Sequence, residues 1–193
     1  RIKGKDKDGK WFASANNRNK FLDPQELGDW MMHLKVCIML ARAVRRMHLA
    51  GFSHSDLGYK NCLIDPTTGQ ACLIDIDGLV VPGKHPPTVV GTPDFIAPEV
   101  VATSHLDKAD PQRILPNRTT DLHALAVLIY MYLLYRHPLR GDKIHDPNDS
   151  QRDEELSMGK AALFVEHPTD PSNRIKTTHL RPSELPWKDT DKI

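Results

Sequence analysis

Cysteine is scarce in this sequence, neither sign of charge dominates it, and it has no long hydrophobic run. Three cysteines in 193 residues (Cys37, Cys62, Cys72) are too few and too scattered for a disulfide framework. No C-x-x-C pair marks a zinc site, so three reduced thiols in a cytoplasmic protein are expected. The 26 Lys+Arg stand against 25 Asp+Glu, a net charge of +1. The basic excess of a nucleic-acid binder is missing, and nucleic acid is not an expected partner. The longest nearly apolar stretch, 124–135, falls short of the roughly 20 residues that span a bilayer. Residues 1–20 lack the apolar core of a signal peptide, so membrane is not an expected partner either. Repeats and low-complexity tracts are also missing. What is present, 39% hydrophobic and 26% charged residues, suits one globular domain or a large lobe with tails.

Residues 1–22 are polar, rich in Lys, Asn and Gly, and read as linker or loop. Asp23-Pro24 offers an N-cap followed by Pro at the first helical position, the start of a short helix. Residues 30–50 predict a strong amphipathic helix. Leu34, Cys37, Ile38, Ala41, Val44 and Met47 recur at three- and four-residue spacing on one face, opposite Arg42, Arg45 and Arg46. Gly51 stands where a left-handed residue ends a helix. Two short apolar runs, 62–64 and 71–74, flank the turn Asp65-Pro-Thr-Thr-Gly69 and predict a small β-hairpin. From 79 to 98 the chain is punctuated by Pro and Gly, an irregular loop of the length that is usually functional or disordered. Thr119-Thr120-Asp121 predicts a cap for an apolar helix over 121–135, stopped by His137-Pro138. A weak helix is expected near 153–164.

Three stretches carry chemistry: His54-Ser-Asp56-Leu-Gly-Tyr-Lys60-Asn61, Leu73-Ile-Asp75-Ile-Asp77-Gly78, and Gly91-Thr-Pro-Asp-Phe-Ile-Ala97-Pro98-Glu99. Phosphoryl transfer needs a carboxylate beside the attacking hydroxyl and oxygen ligands for Mg²⁺ at the phosphates. A loop bearing Asp56 and Asn61, with a hairpin returning Asp75 toward it, can supply both. In these motifs the chain resembles the C-terminal lobe of the protein kinase superfamily. Residues 54–61 resemble the catalytic loop H-R-D-L-x-x-x-N. Asp75-Ile76-Asp77 stands at the metal-binding D-F-G, and Ala97-Pro98-Glu99 is an unaltered A-P-E. Gly91-Thr92-Pro93 is closer to serine/threonine than to tyrosine kinases. The motifs follow in the family's order over a core of residues 30–138.

The resemblance implies roles. Asp56 would orient the substrate hydroxyl and accept its proton, and Asn61 and Asp75 would coordinate the Mg²⁺ of ATP. Thr92 would shape the substrate pocket. His54, Glu99 and Asp121 would be structural, Asp121 anchoring the catalytic loop from below and Glu99 joining an ion pair. Lys60 is a γ-phosphate contact or a solvated lysine; the usual serine/threonine-kinase lysine position is Gly58. Either Asp75 or Asp77 can be the metal ligand, with Asp77 free to hold a second metal, a basic group or only water. Ser55 replaces the arginine that clasps a phosphorylated activation loop, so phosphorylation of Thr88 is expected to be dispensable. His123 stands where tryptophan is usual and reads as a packed histidine.

A Gly-rich phosphate loop, a Val-Ala-Ile-Lys strand and an αC glutamate are not recognisable before Trp30. The expected fold is therefore mainly α, a kinase-like C-terminal lobe with a small β-hairpin and no N-lobe. Residues 1–22 would be linker and 23–193 the lobe, incomplete at its C-terminus, with Arg174 and Arg181 as weak candidates to pair with Glu99. A fragment of this kind is expected to be inactive alone and active as part of a full-length serine/threonine kinase. The variant motifs resemble bacterial Hanks-type kinases of stress and tellurite-resistance gene clusters, which implies protein substrates and a partner phosphatase. Two other readings stay open: a pseudokinase or binding module, and a small-molecule phosphotransferase of the aminoglycoside-kinase type.

Overall fold

A computed structural model describes residues 8–13, 20, 22–81, 84, 87 and 90–176. Thr88 and Arg181 lie outside the described residues. The architecture is mainly helical: α1 (Trp30–Leu49), the strands β1 (Cys62–Asp65) and β2 (Gln70–Leu73), then α2 (Pro98–Ala102), α3 (Arg118–Leu134) and α4 (Ser150–Met158), with short 3₁₀ turns between them.

Helix α1 begins where the Asp29 carboxylate accepts the Met32 amide at 2.8 Å. It ends at Gly51, whose φ of +96° lets the Phe52 N–H reach back to the Met47 carbonyl at 3.1 Å. Its buried stripe is His33, Val36, Cys37, Leu40 and Val44. That is a correction to the expected face, because Ile38 is 52% exposed. The helix packs against both β2 and α3, so its buried arc is set between two neighbours rather than centred on the most apolar line. Asp23-Pro24 opens a single 3₁₀ turn, Pro24–Glu26, closed by the Asp23 N–H on Glu26 Oε2 at 3.0 Å.

Strands β1 and β2 pair antiparallel in the expected hairpin, Cys62 opposite Leu73 and Asp65 opposite Gln70. Asp65 organises the turn. Its carboxylate takes the Thr67 and Thr68 hydroxyls at 2.6 and 2.7 Å, and the Thr67 amide at 3.0 Å.

Helix α3 starts three residues before the expected position. Asn117, not the Thr-Thr-Asp run, is its cap, accepting the Thr119 amide at 2.7 Å, while its own N–H donates to Thr120 Oγ1 at 2.8 Å. Asp121 therefore sits inside the first turn with its carboxylate free for other work. Helix α4 likewise starts earlier than expected, capped by Asp149.

The core joins Leu40 and Val44 of α1, Cys62 and Ile64 of β1, and Leu125, Leu128 and Tyr132 of α3. Phe12 and Ala13 belong to it too, at 1% and 3% exposure. The described part of the region read as linker is thus a packed turn, Gly9–Trp11, bridged to the hairpin through Asp8 and Leu63.

Candidate active site

The loop between α1 and β1 is held from below by one carboxylate. Asp121 is 2% exposed and accepts the His54 N–H at 2.8 Å, the Ser55 N–H at 3.2 Å and the His48 ring at 2.9 Å. A buried carboxylate needs such donors, because desolvation penalises the charge unless it is hydrogen-bonded. The two loop amides come from residues that have left helical geometry, and Ser55 has a φ of +63°. That conformation costs a non-glycine residue about 1 kcal/mol. It is stabilised here by the Asp121 bond and by Ser55 Oγ on the Gly78 carbonyl at 3.4 Å. Gly91 lies over the same turn at φ +124°, where an added Cβ would stand 3.3 Å from the Ser55 carbonyl oxygen, so glycine is required.

Reversal of the chain at Ser55 delivers Asp56 to a half-buried position. Its Oδ1 accepts the Thr92 hydroxyl at 2.7 Å. Asn61 Nδ2 donates to the Asp56 carbonyl at 2.8 Å and to Asp56 Oδ2 at 3.2 Å. Asp56, Asn61 and Thr92, read separately from the sequence, are thus one hydrogen-bonded cluster. Because the Asn61 amide nitrogen is committed to Asp56, its Oδ1 is left as a hard oxygen ligand.

Asp75 is brought beside this cluster by the main chain. The Ile74 N–H donates to the Asn61 carbonyl at 2.9 Å, and the buried His54 ring bonds the Ile74 carbonyl at 3.0 Å. The peptide entering Asp75 is therefore fixed on both sides. Asp75 itself is left-handed, φ +60°, and exposed; Asp77 is exposed in the following 3₁₀ turn, Ile76–Gly78. Among the described residues no three His, Cys, Asp or Glu side chains form a metal-holding group. Mg²⁺ suits such a place, since it commonly takes one or two protein oxygens and completes its shell with water and phosphate. The donors Asn61 and Asp75 fit that ion.

The remaining candidates make no hydrogen bond to this cluster among the described residues. Lys60 is exposed, and Glu99 is exposed at the start of α2 with no arginine paired to it among the described residues; Arg174 is exposed elsewhere. His123 is half-buried, and burial pushes its imidazole below the usual range although Glu99 pulls the other way. Its Nε2 has no partner among the described residues.

The protein kinase domain family model matches residues 7–181. The chain belongs to the protein kinase family. The kinase domain is 30% identical over 107 residues to dual specificity testis-specific protein kinase 2 of Mus musculus, covering 51% of this chain and 19% of that protein. It is 26% identical over 151 residues to the serine/threonine-protein kinase PknD of Chlamydia abortus, covering 64% of this chain and 15% of the relative. The chain thus spans a fifth or less of the length of these two curated relatives. In fold it is similar to the Cydia pomonella granulovirus kinase PK-1, with a TM-score of 0.55 and 21% identity over 86% of this chain and 55% of that one.

Sequence reasoning missed three parts of this site. His48, on the last turn of α1, shares Asp121 with the loop; a histidine near a helix end is too common a feature to single out. The rings of Tyr59 and Phe95 meet edge to face, centroids 4.9 Å apart, and Phe95 packs over Gly58, where an added Cβ would stand 3.2 Å from its ring. The apolar residue two places before Ala97 was the available signal. Asp94, Arg140 and Glu154 form a charged cluster spread over sixty residues of sequence, which spacing alone cannot reveal.

Proposed function

We propose that this chain carries out phosphoryl transfer from ATP to serine and threonine hydroxyls of protein substrates, as the catalytic-loop part of a longer kinase. The observation that carries the reading is the Asp56 carboxylate, held by Thr92 on one oxygen and Asn61 on the other. A carboxylate fixed in this way is oriented before substrate arrives and serves as the base that aligns the hydroxyl and takes its proton. Asn61 and Asp75 would hold the Mg²⁺, which supplies neutralisation of charge developing on the phosphates. Asp77 would hold a second metal or a basic group, and exposed Lys60 would contact the outermost phosphate. Thr92 both steadies Asp56 and lines the approach of the acceptor.

The serine/threonine assignment rests on Gly91-Thr92-Pro93 and on the similarity to kinases of that name. A bacterial, cytoplasmic kinase working with a partner phosphatase is the setting that best suits the altered loop motifs. Among the described residues no helix is long and apolar enough to cross a membrane.

The test is transfer of labelled γ-phosphate by the complete gene product to protein acceptors. Asp56→Ala is expected to lower the rate by about 10²–10⁴-fold while leaving ATP binding in place. Transfer unaffected by Asp56→Ala would overturn the assignment of the base. Nucleotide-independent binding of a protein, with no transfer at all, would make the chain a pseudokinase.

A further inference from the structure

Thr92 to Phe95 form a β-turn, closed by the Phe95 N–H on the Thr92 carbonyl at 3.1 Å. Pro93 occupies the second position and Asp94, with φ +77°, the third. This is the type II pattern, which calls for glycine or asparagine at the third position because φ there must be positive. Aspartate adopts a positive φ less readily than glycine, and the structure supports it here from two sides. The His137 ring donates from Nε2 to the Asp94 carbonyl at 2.7 Å, while its Nδ1 accepts the Leu139 amide at 3.1 Å, which fixes the neutral tautomer. Arg140 takes the carboxylate, donating from Nε to Asp94 Oδ1 at 2.9 Å and from Nη2 to the same oxygen. The rest of the guanidinium forks onto Glu154 of α4, Nη1 to Oε2 at 2.8 Å and Nη2 to Oε1. Two carboxylates on one planar cation give a directional contact that a point charge cannot reproduce.

The turn matters because of what stands at its two ends. Thr92 places its hydroxyl on Asp56, and Phe95 lies over Gly58 and against Tyr59. Glu99, five residues beyond Asp94, has no arginine on it among the described residues, so the visible ionic tie on this segment is at Asp94. We propose that Arg140, backed by Glu154 and aided by His137, is a positioning residue. It holds the strained Thr92–Phe95 turn and, through Thr92, keeps the Asp56 carboxylate in its working orientation. The proposal rests on the kinase reading for its catalytic consequence but not for its structural one. Exposed ion pairs contribute little to stability on their own, so the effect of this one is expected in geometry and rate.

The experiment places Arg140→Met in two backgrounds of the complete gene product, wild type and Asp94→Gly, and measures kcat and KM for ATP. Glycine takes a positive φ without strain, so in the second background the turn no longer depends on the clamp. With Asp94 present, Arg140→Met is expected to lower kcat on the order of tenfold, as small misplacements of reacting groups do, with KM for ATP unchanged. In the Asp94→Gly background the same substitution is expected to cost less than about twofold, since geometry no longer rides on the arginine. Arg140→Lys, which keeps charge but not the fork, is expected to fall between; it is read in the same way should Arg140→Met fail to fold.

Hydrogen exchange of the Phe95 amide gives an answer independent of catalysis. Its protection should drop in Arg140→Met and return in the double variant. Equal kcat losses in both backgrounds, or unchanged Phe95 protection, overturn the proposal. If the exchange pattern is as expected but the wild type transfers no phosphate, the clamp stands and the kinase reading falls.

Discussion

At the scale of single residues the site depends on Asp121, a buried acid with three donors on it. Replacing it by alanine leaves the His54 and Ser55 amides buried without an acceptor and His48 without its partner. Each buried donor left without an acceptor costs about 1–3 kcal/mol. Urea denaturation of Asp121→Ala is expected to show a loss of that order. Asp121→Asn, which keeps one acceptor oxygen but faces the other donors with an NH₂, should lie between the two. A loss below about 1 kcal/mol for Asp121→Ala would mean that the loop is held by something else. The residue identities at this site were readable in the sequence because Asp56, Asn61, Thr92 and Asp121 stand in motifs with fixed spacing. The bonds among them were not. Whether a carboxylate accepts from a hydroxyl about forty residues away or a backbone amide nearly seventy away depends on where helices cross, and no local pattern encodes that. Arg140 and Asp94 illustrate the point: each is an ordinary charged residue until the turn and α4 bring them together.

At the scale of elements, the hairpin is organised by its own turn. Burial pushes the Asp65 carboxyl up, but the hydroxyls and amides of Thr67 and Thr68 outweigh it and bring the group down to about 2 from 3.8. A carboxyl depressed on folding stabilises the protein above its unfolded value, and that contribution is lost as pH falls through the folded value. Asp65→Ala is therefore expected to lower stability by about 1 kcal/mol at pH 7. The gap between the two proteins should persist to about pH 4 and close as pH falls toward about 2, followed by denaturant melts across that range. A gap independent of pH would show that the turn, not the charge, carries the effect. Element existence was legible wherever periodicity was strong, as in α1, the hairpin and α3. Boundaries were less so: the start of α3 depends on whether Asn117 or Thr119 caps it, and both residue types are competent caps. The expected face of α1 holds except at Ile38, because its neighbours on two sides, β2 and α3, choose the buried arc.

At the scale of the whole molecule, the turn Gly9–Trp11 closes the core from the N-terminal side. An added Cβ at Gly9 would lie 1.9 Å from the Tyr132 hydroxyl and 2.9 Å from the Tyr59 carbonyl oxygen. Gly9→Ala is thus expected to destabilise by about 1–3 kcal/mol, the usual effect of overfilling a packed site, measured as a lower thermal midpoint. The Tyr132 hydroxyl is buried with no hydrogen-bond partner among the described residues. Tyr132→Phe alone should be neutral or stabilising and should recover part of the Gly9→Ala loss. No recovery would place the conflict at Tyr59 instead. This docking was not legible, because a polar, glycine-bearing stretch carries no periodicity and its two buried apolar side chains among the described residues, Phe12 and Ala13, are too few to announce a core.

The cross-tie at Ile74 has a mechanical consequence. Its amide is fastened to Asn61 and its carbonyl to His54, so the chain entering Asp75 and the loop carrying Asn61 travel as a single body. A hinge that separates the hairpin from the loop has to break both bonds first.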